Sequence, residues 1–131
     1  MSTLDADGRP HITAVGAFWV DGRYYFCGGP RSRKIRSIER DARCAFGVAI
    51  HGYDVAFEGR ATRVTDDAQL QRIAQVFADG GWAPTVADGG FTHDYSALSA
   101  GPPLWYIYEF TPEHAYAVMT TEPGGATRWT F

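Results

Sequence analysis

Two adjacent cations stand where a glycine turn opens a helix, in the stretch Cys27-Gly28-Gly29-Pro30-Arg31-Ser32-Arg33-Lys34-Ile35-Arg36. Ser32 is a residue type that caps helices, because its hydroxyl oxygen accepts a hydrogen bond from a first-turn amide that has no other partner. Arg33 and Lys34 then fall in that first turn. Unpaired amides, the positive end of the helix dipole and two cationic side chains together match the needs of a phosphate group. Gly28 and Gly29 carry no side chain and so permit close approach to the backbone. A plain loop-to-helix junction with solvated cations has the same residue pattern, so the stretch by itself leaves both readings open.

The elements around this stretch are legible from turns and periodicity. Asp7-Gly8-Arg9-Pro10 marks a turn, and His11–Val20 reads as one strand with two apolar faces, hence buried on both sides. Asp21-Gly22 is a two-residue hairpin signal, and Arg23–Cys27 is the returning strand. A helix over Ser32–Arg40 puts Ile35 and Ile38 on one face and Arg33, Arg36 and Arg40 on the other. Ala42–Ile50 is a third strand and Tyr53–Thr65 a long fourth, joined by the turn His51-Gly52. Asp66 and Gln69 have the spacing of a capping box. The helix behind it shows Leu70, Ile73, Ala74 and Phe77 as its apolar stripe and stops at Gly80-Gly81.

Residues 82–103 are rich in Gly, Pro, Asp and Ser and read as one long irregular loop, a kind that usually serves a site or an interface. Leu104–Thr111 is a fifth strand, Pro112-Glu113-His114 a turn, and Ala115–Thr121 a sixth strand. After Glu122-Pro123-Gly124-Gly125, residues Ala126–Phe131 form a last short strand. Six to seven antiparallel strands with two short helices at crossovers predict a mainly β chain closed into a small barrel.

Composition narrows the function classes. A chain of 131 residues forms one domain. A net charge of −3 speaks against a general nucleic-acid binder and leaves Arg31–Arg43 only a weak nucleic-acid reading. No apolar run has the roughly 18 residues of a membrane span, and the start of the chain lacks a signal pattern. A cytoplasmic protein is therefore expected. Cys27 and Cys44 fall in different strands, as two buried thiols or, alternatively, a disulfide. His11, His51, His93 and His114 are scattered and show no metal-ligand spacing.

The order of these motifs resembles the pyridoxamine 5'-phosphate oxidase-like family, FMN- and deazaflavin-binding proteins with a split β-barrel. The resemblance rests on Asp7-Gly8-Arg9-Pro10-His11-Ile12-Thr13, the Asp21-Gly22 turn, Ser32-Arg33-Lys34, and Arg40-Asp41-Ala42-Arg43-Cys44-Ala45. Asp54–Ala61 before the second helix and Glu109-Phe110-Thr111-Pro112 extend it over nearly the whole chain. It implies that Arg33 and Lys34 hold the FMN phosphate, with Ser32 beside them. It also implies that the flavin ring lies along Thr13, Ala14, Val15 and Gly16, that Cys27 and Gly28 line the phosphate and ribityl region, and that two cofactors sit at the interface of a homodimer.

Departures from the family pattern shape the expectation. The ending Ala126-Thr127-Arg128-Trp129-Thr130-Phe131 differs from the arginine-leucine segment that grips substrate phosphate in the vitamin-pathway oxidases, so pyridoxamine phosphate is not the expected substrate. Asp54 stands where relatives often carry a flavin-touching glutamine. The chain starts almost at its first turn, so the first barrel strand is short or the gene begins further upstream. The resemblance therefore implies an FMN-dependent oxidoreductase acting on a small organic molecule, with catalytic residues unassigned. A coenzyme F-420-dependent reductase, with Arg31, Arg36 and Arg40 serving the acidic tail, is the alternative. A flavin- or ligand-binding dimer without turnover is a third reading, and haem is disfavoured because no histidine sits as an axial ligand. Trp82, Tyr95, Trp105 and Trp129 are the aromatics expected to shape a substrate pocket or to pack in the core or an interface.

Overall fold

The computed structural model describes all residues from Met1 to Phe131. In chain order the elements are β1 (Ser2–Leu4), β2 (Pro10–Ile12), β3 (Ala17–Val20), β4 (Arg23–Gly28), α1 (Arg33–Arg40), β5 (Arg43–Ile50), β6 (Tyr53–Arg63) and α2 (Asp67–Asp79). They continue with β7 (Thr85–Ala87), β8 (Gly90–Thr92), a single 3-10 turn (Leu98–Ala100), β9 (Tyr106–Met119) and β10 (Ala126–Thr130). Eight strands make one antiparallel sheet in the order β2-β1-β5-β6-β9-β4-β3, with β10 also paired to β9. This is the mainly β, split-barrel architecture expected, with more strands than the six or seven read from sequence.

β9 explains the split. Its first half, Tyr106–Phe110, pairs with β4, and its second half, His114–Val118, pairs with β10, while β6 runs along its other edge. Pro112-Glu113-His114 is therefore not a turn. The pairing with β6 slips at Glu58/Gly59, leaving one extra residue on β9. Such a bulge accommodates a proline, whose missing amide is no loss where the ladder is already interrupted. Gly59 is required there, because a Cβ would lie 2.1 Å from the Thr111 carbonyl oxygen.

The expected single strand over His11–Val20 is also corrected. β2 and β3 lie at opposite ends of the sheet order, and residues 13–16 belong to neither. This segment crosses from one edge to the other, and both edges face outward: Ile12 is 78% exposed and Trp19 47%. Thr13 closes the crossing by backbone bonds to Met1, donating to its carbonyl at 3.0 Å and accepting from its ammonium group at 2.9 Å.

The period of two along β4 and β9 divides the apolar residues between two cores. Tyr25 and Ile107 pack under α2 with Val64, Leu70, Ile73, Phe77 and Phe91. Phe26 and Tyr108 pack under α1 with Ile35, Ile38, Cys44 and Phe46. Both cysteines are free thiols. The stripe read for α2 is the buried one, and the Asp66 carboxylate accepts from the Gln69 amide at 2.8 Å. The reciprocal half of the capping box is not made. The Gln69 side chain instead donates to Glu109 Oε2 at 2.7 Å, where the Tyr25 hydroxyl also donates at 2.6 Å. Arg23 donates to Glu109 Oε1 at 2.9 Å, so one carboxylate ties α2 to β4 and β9.

The stretch expected as a structureless loop over 82–103 contains the β7–β8 hairpin, turned at Asp88-Gly89 with φ of 49° and 71°. Phe91 and Trp105 then exchange two backbone bonds, at 2.8 and 2.9 Å, and dock the hairpin on the barrel. No helix is long and apolar enough to cross a membrane.

Candidate functional site

A cavity of about 430 Å³ opens between the 13–16 crossing, the end of β4, the start of α1 and the segment 95–100. Ala14, Val15, Gly16, Cys27, Gly28, Ser32 and Lys34 line it. Thr13 and Arg33, the other two residues expected at the cofactor, do not. Thr13 is spent on its bonds to Met1, and its hydroxyl donates to the Ala14 carbonyl at 3.2 Å.

Close packing brings the helix start to the cavity. A Cβ on Gly28 would meet Ile35 Cγ1 at 2.8 Å and Lys34 Cε at 3.3 Å, so a larger residue here would displace the Ile35 side chain that packs α1 on β4. A Cβ on Gly29 would sit 3.2 Å from the Ala100 carbonyl oxygen. The Ser32 amide donates to the Gly29 carbonyl at 3.0 Å, and the first helical bond runs from the Arg36 amide to the Ser32 carbonyl. The amides of Arg33, Lys34 and Ile35 precede that bond and have no acceptor further back in the helix.

Ser32 does not cap the helix through its side chain, contrary to the sequence reading. Its Oγ is buried without any hydrogen-bond partner. A buried hydroxyl left unpaired costs about 1–3 kcal/mol, so a partner supplied by a ligand gains that much back. Lys34 is the single charged side chain among the cavity residues. Burial pushes the Cys27 thiol up to about 11, against a smaller opposite pull from Lys34. Cys27 is thus a neutral wall atom at physiological pH and not a nucleophile.

The far wall is aromatic. Trp82 stacks edge-on against Phe77 and Trp105, with ring centroids 5.8 and 5.7 Å apart. The Trp82 indole donates to the Tyr95 carbonyl at 2.7 Å, and the Trp105 indole donates to the Ala100 carbonyl at 3.3 Å. The two indoles hold the segment 95–100 over the cavity. Trp82, Tyr95 and Trp105 line it, Trp105 being also a buried core residue, whereas Trp129 lies elsewhere, beside Phe131 on an apolar face formed by β6, β9 and β10. Asp54 also lies away from the cavity, in a shallow groove with Val48, Tyr116 and Val118.

Arg33 turns the opposite way from Lys34. It lines a separate cleft with Asp5, Asp7, Arg36, Ser37 and Arg40. Its Nε donates to Asp5 Oδ1 at 3.0 Å and its Nη2 donates to Asp5 Oδ2. The bond to Arg33 holds the Asp5 carboxyl below its usual range. Arg40 in the same cleft donates to the Leu4 carbonyl. Sequence reading missed Asp5, because nothing local links two residues 28 positions apart.

Residues 1–119 match the family model described as pyridoxamine 5'-phosphate oxidase. Among curated proteins none matches. Among solved structures, PhzG from Burkholderia lata 383, in complex with tetrahydrophenazine-1-carboxylic acid, is similar with a TM-score of 0.67 at 16% identity, over 99% of this chain and 74% of that one. A pyridoxamine 5'-phosphate oxidase-related, FMN binding protein from Nostoc punctiforme has a TM-score of 0.63 at 13% identity, over 99% of this chain and 84% of its own. The General Stress Protein 26 from Bacillus anthracis str. Sterne has a TM-score of 0.60 at 19% identity, over 98% and 85%. At these identities the structural likeness speaks to the fold.

Proposed function

This chain belongs to the pyridoxamine 5'-phosphate oxidase family, and from that premise we propose that it binds FMN in the cavity beside Lys34 and acts as an oxidoreductase on a small organic molecule. One observation carries the reading: the buried, partnerless Ser32 hydroxyl and Lys34, the single charged side chain, stand together at the start of α1 on an otherwise uncharged cavity. That part suits a phosphate, and the aromatic and glycine-lined remainder suits a planar ring. FMN, when bound, accepts or donates a hydride.

The protein's part is to bind, orient and exclude water. Lys34 pairs with the phosphate, and Ser32 donates its hydroxyl to a phosphate oxygen. Residues 14–16, outside any strand, offer backbone groups along the ring. Trp82 and Trp105 keep the segment 95–100 closed over the cavity and leave an apolar wall against which a small uncharged substrate packs. Cys27, protonated, contributes no charge to the cavity.

A homodimer is part of the proposal. The face of β6, β9 and β10 displays Tyr53, Val55, Phe57, Met119, Trp129 and Phe131 around a hollow of about 660 Å³. A stable interface needs about 800 Å² per partner, and so apolar a face favours a second copy.

The cleft of Arg33, Arg36 and Arg40 favours a second reading, in which the acidic tail of coenzyme F-420 lies along α1. Asp5 and Asp7 on the same cleft oppose it, so FMN is the preferred cofactor. Absorption spectra of the purified protein, titrated separately with FMN and with F-420, test both. Saturable FMN binding supports the proposal, F-420 binding alone replaces it with the second reading, and binding of neither overturns both.

A further inference from the structure

We infer that Asp5 competes with the cofactor phosphate for Arg33 and thereby sets how tightly this site retains FMN; the inference rests on the FMN reading above. Arg33 and Lys34 are neighbours in the first turn of α1, yet only Lys34 reaches the cavity. Arg33 is engaged by Asp5 through two parallel bonds, Nε to Oδ1 at 3.0 Å and Nη2 to Oδ2. This fork is the one a guanidinium presents to a carboxylate or a phosphate alike, so either anion satisfies it and both cannot do so at once.

The mobile member of the pair is Arg33. Asp5 is held by its own turn, its amide donating to the Arg9 carbonyl at 2.8 Å and its carbonyl accepting from the Gly8 amide at 3.0 Å. Its side chain is 21% exposed against 57% for Arg33. The turn fixes the Asp5 backbone and the carboxylate is the less exposed partner, so the longer, more exposed guanidinium is the end we take to swing. One residue before Arg33, the Ser32 hydroxyl is buried and has no hydrogen-bond partner within the fold, so an anion brought to this turn would satisfy it as well. A phosphomonoester carries about −1.5 to −2 charges at neutral pH against one on Asp5, so it draws Arg33 across while losing part of the gain to the broken Asp5 pair.

The consequence is a site weakened by its own protein. Removing the competing carboxylate strengthens the hold on the phosphate and leaves a ligand without phosphate unaffected. Dissociation constants for FMN and for riboflavin, by quenching of flavin fluorescence, test this in the wild type, Asp5→Asn, Arg33→Ala and the double variant. Asp5→Asn should tighten FMN about two- to fivefold, the range an exposed ion pair allows, with riboflavin unchanged. Arg33→Ala should weaken FMN, and adding Asp5→Asn to it should change nothing further. Equal FMN affinity in the wild type and Asp5→Asn, or equal tightening of FMN and riboflavin, overturns the inference while leaving the FMN reading intact. A wild type that binds neither flavin overturns both.

Discussion

Glu109 is the point where the barrel fastens α2, and replacing it with Gln gives a prediction whose size follows from its partners. Oε2 accepts from the Tyr25 hydroxyl and the Gln69 amide, and Oε1 accepts from Arg23. A glutamine amide must turn its NH2 toward one of these sides. Facing Arg23, it sets donor against donor. Facing Tyr25 and Gln69, it is rescued, because a hydroxyl rotates and an amide flips so that each accepts. The second orientation wins, and the loss reduces to the charge on the Arg23 bond. A hydrogen bond to a charged group contributes about 1.5–3 kcal/mol, and a fully exposed ion pair about 0.2–1 kcal/mol. Glu109 is 19% and Arg23 42% exposed, between these cases. Glu109→Gln should therefore cost about 1–2 kcal/mol, or roughly 3–8 °C in melting temperature for a domain of this size. Thermal and urea unfolding of Glu109→Gln, Arg23→Met and the double variant give the coupling between the two side chains. A Glu109→Gln protein that melts within about 1 °C of the wild type would refute a net contribution from the charge of the Arg23–Glu109 pair.

Three further outcomes follow from the site. Lys34→Ala removes the single cavity cation and should weaken FMN about 10- to 150-fold, as expected for one charge-assisted bond; flavin titration with riboflavin as control checks it, and an equal loss for both ligands counts against a phosphate at Lys34. Trp82→Ala deletes the bond to the Tyr95 carbonyl, so hydrogen exchange should quicken over residues 95–100 and not in β9, and unchanged exchange there removes the tryptophan as the strap. Burial raises the thiols of Cys27 and Cys44 from the usual 9.0 to about 11 and about 12, so the folded state keeps protons that the unfolded chain gives up above pH 9. Stability is then full below pH 9 and falls as pH rises toward 12, by about 1.4 kcal/mol per unit per thiol; urea unfolding at pH 8 and pH 10 measures it, and equal stability at both would contradict the burial argument.

What the chain discloses before it folds depends on how local the cause is. The α2 stripe, the Asp21-Gly22 turn and the glycine-flanked start of α1 are each set by neighbours within a few residues, and each is found where the pattern places it. The β7–β8 hairpin carried the same Asp-Gly signal at Asp88-Gly89, but strands of three residues are too short for alternation to show. The His11–Val20 reading failed because an apolar residue in sequence does not say which sheet edge it reaches, and a crossing between edges looks like a strand. Pro112 read as a turn because a bulge depends on the partner strand, where Gly59 is the permissive residue. At the site, adjacency gave Arg33 and Lys34 one address, whereas a distant carboxylate divides them.

The bulge between β6 and β9 also works as an index mark for assembly. β9 is buried on both faces through Ile107, Tyr108 and Phe110, so alternation of apolar and polar residues does not choose its alignment against β6. A slip by one residue would still bury apolar side chains. Gly59 is the one residue of Tyr53–Arg63 without a Cβ, and Pro112 is the one residue of Tyr106–Met119 without an amide hydrogen. Only the alignment that brings these two together avoids both a steric clash and an unmatched carbonyl. A local defect in the ladder thus selects a single reading frame for the longest strand pair of the barrel, and every residue that β9 delivers to the two cores is counted from it.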